Sequence, residues 1–415
     1  MGAQAFIQIY PNKEKNMLRR IVPTLLACVL IVSMVAGCAP AQAASYKVGM
    51  VLSITGPNSS LGIPERDTAL MLQDQVNKAG GIKGPDGSMH NLELIVEDDA
   101  SDASKATLAA KKLVEQDNVA VLIGSSGSAP SMAMLAVATE DQIPMISLAA
   151  ASTIVNPIAD RKWIFKTAQE SKVVVEVQVD YLKAKGITKV ASLAVNNAFG
   201  KDSVDAMNVL YPAAGIQILT SETYQPGDKD FTAQLTKIKG LNPQAVIVHG
   251  TSGEGAPIAV QYRALGFTVP LVNNHGIGNQ DFIKLAADAA EGVLFPIGKL
   301  LVASSLPDSD PQKAVLTKYI ADYTAYTKGA AMSTFGGHAY DAVKIAVAGL
   351  TAVGDDRVKL RDYFETGVNG YVGVTGTFNM SATDHVGIGK VSLVLVEIKG
   401  GTWKYIAPDQ YPNVP

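Results

Sequence analysis

From position 47 the chain alternates short apolar runs with longer stretches of helical period. The segments 47–54, 92–97 and 119–123 read as strands, separated by the helical patterns 66–79 and 103–116, which is βαβαβ order. Val119-Ala120-Val121-Leu122-Ile123 has no polar interruption. A strand of that kind is expected where helices cover both faces of a parallel sheet, so the pattern predicts a doubly wound α/β architecture.

The alternation begins again after 163–168. Strand candidates at 189–195, 215–223, 245–249 and 270–273 are separated by helical stretches and predict a second α/β lobe. A long helical pattern at 339–352 precedes two late strand candidates, 391–398 and 403–406. No flexible linker separates the two series, so the chain is expected to cross between the lobes several times, forming a hinge around a cleft. Ligands of such sheets sit beyond the carboxyl ends of the strands.

The N-terminus follows a different pattern. Lys13, Lys15, Arg19 and Arg20 precede an apolar run from Ile21 to Val35 that ends in small residues, the layout of a secretory signal. The run is shorter than the roughly 20 residues of a membrane-spanning helix, and no comparable run follows. Val35-Ala36-Gly37-Cys38 resembles a lipobox, in which Cys38 becomes the acylated N-terminus after residues 1–37 are removed. Cleavage after Ala41-Gln42-Ala43 would instead discard Cys38. Both readings predict an exported protein, periplasmic or held at the outer face of the cytoplasmic membrane by a lipid.

Composition narrows the function classes. Cys28 and Cys38 are the only cysteines, so nothing downstream forms a disulfide or a thiolate metal site. At 415 residues the chain is longer than one core usually serves, and two domains are the natural expectation. A net charge of −3 without a basic tract gives no nucleic-acid signal, and 47% hydrophobic with 18% charged residues suits an ordered globular protein. Five scattered histidines lack zinc-site spacing, so neither metal nor cofactor is implied. There is no Gly-x-Ser-x-Gly elbow and no dinucleotide glycine fingerprint opening a helix, which leaves an enzyme without a catalytic constellation.

One loop carries candidate chemistry. Gly124-Ser125-Ser126-Gly127-Ser128-Ala129-Pro130-Ser131 follows the third strand and leads into a helical pattern. Free N–H groups at a helix N-terminus, together with serine hydroxyls, ligate a carboxylate or phosphate. The alternative is that one serine caps the helix and the others are solvated. A P-loop is disfavoured because its lysine is missing. A second small-residue loop, Ala149-Ala150-Ala151-Ser152-Thr153, follows the next strand, and His275 follows a strand of the second series. A lone histidine is usually structural or merely exposed.

Taken in order, Val48 to Gly56, Asn77-Lys78-Ala79-Gly80-Gly81-Ile82, Glu97-Asp98-Asp99 and Asp288-Ala289-Ala290-Glu291-Gly292-Val293 resemble the leucine/isoleucine/valine-binding protein family, over essentially the whole mature chain. These are type I periplasmic binding proteins of branched-chain amino-acid ABC transporters. The resemblance implies two lobes with three crossovers: 46–168 plus 298–372 for the first, 169–297 plus 373–415 for the second. It also implies closure of the lobes around one small ligand.

Residue by residue, the resemblance gives Ser128 the ligand carboxylate, and Ala149 a backbone carbonyl for a ligand ammonium. Ala151 stands where a threonine usually helps hold the carboxylate; its N–H remains, and Ser152 or Thr153 would supply a hydroxyl if the loop is shifted. Leu61 and Phe199 match positions that pack around the ligand, Phe199 being equally placed for ordinary core, and Thr251 falls near its polar end. His275 stands where the family has an acidic partner for the ammonium. A buried ammonium without an anion is costly, whereas an imidazole complements a carbonyl, hydroxyl or carboxylate. The expected ligand is therefore an aromatic or hydrophobic carboxylate, with a branched-chain or aromatic amino acid as the alternative. The expected partner is an ABC permease, or else a signalling receptor, and the default state is a monomer.

Overall fold

The computed structural model describes residues 44–407 and positions 1, 2, 4, 7 and 8. The expected signal, the lipobox and Cys38 lie outside the described residues.

Strands β1 (Tyr46–Leu52), β4 (Leu92–Asp98), β5 (Val121–Gly124), β6 (Met145–Ser147) and β7 (Ile164–Lys166) form one parallel sheet, while β2 (Ile82–Lys83) and β3 (Met89–His90) make a small hairpin outside it. The sheet order is β4-β1-β5-β6-β7, so the direction of winding reverses between β1 and β5. The second sheet repeats this arrangement. Its strands β8 (Lys189–Val195), β9 (Gln217–Tyr224), β10 (Ala245–His249), β11 (Leu271–Asn273) and β12 (Leu294–Gly298) are parallel in the order β9-β8-β10-β11-β12, with the reversal between β8 and β10. At the far edge β15 (Leu393–Lys399) and β16 (Thr402–Ile406) add antiparallel, past the hairpin of β13 (Asn369–Val372) and β14 (Thr377–Asn379).

The central strands β5, β6 and β10 are buried at every position, as expected of a sheet covered on both faces. One core joins residues 46–165 to residues 300–388; two further cores flank the second sheet. Burying one Leu or Val is worth about 1.5–3 kcal/mol, so cores of this size hold the fold without disulfides.

The chain passes between the sheets after β7, after β12 and before β15. The stretch 373–388, expected in the second lobe, instead gives Val374, Phe378, Met380, Val386 and Ile388 to the first core. The reason is local: β13 and β14 pair as a hairpin, so the chain returns to the side it came from and crosses only after Ile388.

Each opening βα unit depends on one glycine. A Cβ at Gly62, in the helix Ser59–Lys78, would collide with the carbonyl of Ser53; at Gly200, in the helix Ala198–Ala213, it would collide with the carbonyl of Val195. Helix and strand end therefore approach closely at both winding reversals.

Candidate functional site

The parallel strands of both sheets direct their carboxyl ends at one cleft of about 140 Å³. An apolar cavity of about 150 Å³ admits benzene, which fixes the scale of the occupant. Leu61, Ser126, Ser128, Leu148, Ala149 and Ala150 line it from the first sheet's loops; Asn197, Phe199, Pro226, Thr251, Glu254 and His275 line it from the second's. Phe335 and His338 come from the helix Thr334–Val353.

Ser128 opens the helix Ser128–Glu140, whose N-cap is Gly127 with no side-chain cap, so the capping role considered for the loop serines is not what they perform. The hydroxyl oxygen of Ser128 accepts the N–H of Ala151 at 3.2 Å, which leaves its own O–H to donate into the cleft. Ser128 and its helix N-terminus, braced by Ala151, thus form a donor cradle of a kind suited to an anion. Ala151 itself, expected to help hold the carboxylate, does not line the cleft, and its N–H is taken by Ser128.

The other loop serines engage their hydroxyls inside the protein, Ser126 included although it lines the cleft. Ser125 donates to Asp99, which also accepts from the Ser53 hydroxyl at 2.7 Å. Ser126 donates to Glu65 while accepting the Ser53 N–H at 3.0 Å. Ser131 donates to the Ser125 carbonyl at 3.0 Å. Burial pushes the Glu65 carboxyl well above its ordinary pKa. This inner network braces the loop; a run of serines looks alike in sequence whichever way each one points.

Ser152 is not on the cleft wall. Its N–H and hydroxyl donate to Asp202 at 3.0 and 3.3 Å, tying the loop after β6 to the helix Ala198–Ala213 of the second sheet. That carboxylate, distant in sequence, captured the hydroxyl expected to replace the missing threonine. Ala149 lines the cleft, and its N–H donates to the Ser147 hydroxyl at 3.2 Å. Phe199 meets the ring of His275 edge-on at 5.3 Å and 84°. Thr251 donates to Glu254 at 2.9 Å.

His275 is buried, and burial, with smaller contributions from His338, Lys166 and His249, pushes its pKa down to about 3. Burial also takes His338 to about 3; Lys166 adds to that shift and a hydrogen bond to the Leu148 carbonyl opposes it. Both imidazoles are neutral at physiological pH and carry an unpartnered buried Nδ1.

Sequence reasoning missed His338 and Glu254. His338 comes from a helix that returns to the first core late in the chain, and no local pattern marks it. Glu254 follows β10 within one helical turn, and the rule that ligands gather at strand carboxyl ends could have flagged it. Its oxygens accept from Thr251 and from the N–H of Gly227 at 3.1 Å, joining the loop after β9 to the helix Ser252–Ala264. Among the described residues no group of histidine, cysteine and acidic side chains could hold a metal, and no helix is long and apolar enough to cross a membrane.

A cleft between two like-wound sheets, fed by the carboxyl ends of both, defines a ligand-binding receptor. The chain belongs to the periplasmic binding protein family, whose model matches residues 45–402; members are solute-binding proteins of transporters, act outside the cytoplasm and are not enzymes. It is 28% identical over 320 residues to a Leu/Ile/Val-binding protein of Rhizobium johnstonii, covering 76% of this chain and 82% of that one. An extracellular ligand-binding receptor from Rhodopseudomonas palustris superposes with a TM-score of 0.81 at 27% identity, over 87% of this chain and 99% of that one. A solute-binding protein of an ABC transporter from R. palustris, solved with benzoate, shares the fold at a TM-score of 0.75 and 22% identity, over 88% and 96% of the two chains.

Proposed function

We propose that this protein is the extracytoplasmic receptor of an ABC importer and that it captures a small aromatic or hydrophobic carboxylate by closing its two lobes. The observation that carries this reading is the pairing of the Ser128–Ala151 cradle with a wall of Phe199, Leu61 and the neutral imidazoles of His275 and His338. The cradle takes the carboxylate. Phe199 and Leu61 take the apolar body, and the imidazoles meet polar groups without bringing a charge. Contacts made only in the closed form favour that form by their differential free energy, and the closed surface is what a permease reads. The receptor acts as a monomer, held to the membrane through Cys38 or released after Ala43.

Amino-acid binding is the second reading. It is favoured by the Glu254 carboxylate on the wall and by relatives named for leucine, isoleucine and valine. Against it, both Glu254 oxygens already accept hydrogen bonds from the protein. A thermal-shift panel of benzoate, phenylacetate, aliphatic acids and amino acids tests the choice. A ligand at a hundredfold excess over its Kd stabilises the native state by about 2.7 kcal/mol. Stabilisation by benzoate or phenylacetate is expected, and stabilisation by amino acids alone would overturn the preference.

A further inference from the structure

Lys166, the last residue of β7, is fully buried, and its side chain does not line the cleft. Its ammonium donates to the carbonyls of Ala150 at 2.6 Å and Ala151 at 3.3 Å. Among the described residues it makes no ion pair within salt-bridge distance. A buried cation held by carbonyls alone is expensive unless something nearby repays it.

The geometry of the next loop shows what that is. In a trans peptide the C=O and the following N–H point in opposite directions. Lys166 draws the Ala150 carbonyl inward, so the Ala151 N–H turns outward to Ser128. The Ala151 carbonyl is drawn in likewise, and the Ser152 N–H turns to Asp202 on the second sheet's helix at 3.0 Å. One ammonium thus orients two consecutive peptides, one serving the cradle and the other the tie between the lobes. Ala150 itself packs in the second core while Ala149 and Ala151 pack in the first.

We infer that Lys166 is a positioning and specificity-determining residue, which sets the peptides of the anion cradle and supplies the fixed positive charge that favours an anionic ligand over a zwitterion. The inference rests on the carboxylate reading above. A carboxylate in the cradle adds counter-charge near an ammonium that makes no salt bridge among the described residues, and a ligand ammonium brought to the neighbouring Ala149 carbonyl meets like charge. The groups facing Lys166 are the carboxylates of Glu170 and Asp202 and, from the cleft, the neutral imidazoles of His275 and His338. Burial lowers the lysine to about 8, against the opposing pull of Glu170 and Asp202. An anion bound beside it raises that value, so binding takes up protons near pH 8 and affinity falls as pH rises through it.

The test uses the mature chain with Lys166→Met and Lys166→Arg. By titration calorimetry at pH 7, benzoate affinity falls at least about tenfold in the methionine variant and is largely restored by arginine. Wild-type binding enthalpy at pH 8 depends on the buffer's ionisation heat, and that dependence disappears in Lys166→Met. Without any ligand, amide exchange at Ala151 and Ser152 accelerates at least about tenfold in Lys166→Met relative to the rest of the first sheet. Unchanged exchange with unchanged benzoate affinity overturns the inference. If Lys166→Met does not fold, the wild-type titration decides alone, and a buffer-independent enthalpy at pH 8 overturns it. Should the wild type bind leucine and not benzoate, the carboxylate reading falls. The positioning role is then judged by the same variants' exchange and leucine affinity, unchanged values in both overturning it.

Discussion

The backbone N–H of Ala151 meets the hydroxyl oxygen of Ser128 at 3.2 Å, joining the loops that follow two neighbouring strands, β5 and β6. Neither residue is charged; the Ala151 N–H is taken by Ser128, whose own hydroxyl and helix N-terminus are left to face the cleft.

Replacing Ser128 with alanine removes the donor aimed at the ligand. Hydrogen bonds to charged groups are worth about 1.5–3 kcal/mol, so carboxylate affinity should fall about 10- to 100-fold by calorimetry. A change within twofold would remove Ser128 from the cradle.

Glu254 separates the two ligand classes. Its oxygens are engaged by Thr251 and Gly227, so Glu254→Gln should alter benzoate affinity by less than about threefold. If leucine is the true ligand, the same substitution removes the only acidic side chain lining the cleft among the described residues, and leucine affinity should collapse. Competition binding with both ligands on one variant gives the answer.

The two glycines at the winding reversals make a prediction about stability. Gly62→Ala and Gly200→Ala each push a methyl group into a strand-end carbonyl, so each should cost about 1–3 kcal/mol in urea unfolding. Gly215→Ala, with open space around its Cβ but a φ of +78°, tests backbone conformation alone.

His249 carries a pH prediction. Burial depresses it to about 4 from an ordinary 6.5, and both ring nitrogens are buried without partners. The unfolded chain binds a proton below pH 6.5 that the folded chain refuses until about pH 4. Stability from this group is therefore present above pH 6.5 and lost as pH falls toward 4, by up to about 3 kcal/mol. His275 and His338 act in the same sense, whereas Asp341, raised to about 7 by burial, acts in the opposite one. The comparison to make is His249→Leu against wild type. The variant should gain stability at pH 5 and show a flatter profile between pH 4 and 6.5; parallel profiles would refute the assignment.

While Phe199 and Thr251 came from the family resemblance, the amino-acid sequence by itself determined the α/β class, the two rounds of strand and helix, and the placement of Ser128, Ala149 and His275 beyond strand ends. Those features rest on local periodicity and on the rule that parallel strands deliver their carboxyl ends to one side, neither of which requires knowing what packs where. The strand 189–195 is an example, since its apolar run and the observed β8 coincide. Tertiary structure alone decided which loop serine keeps its hydroxyl for the cleft, because Asp99 and Glu65, far away in the chain, claim those of Ser125 and Ser126. It also decided that Ser152 reaches Asp202, that His338 joins the wall from a late helix, and that 373–388 stays with the first core. Except for the last, which follows from the local hairpin, each of these outcomes depends on a partner more than ten residues away. A hydrogen-bonding side chain carries no mark of its partner until the fold has brought the two together.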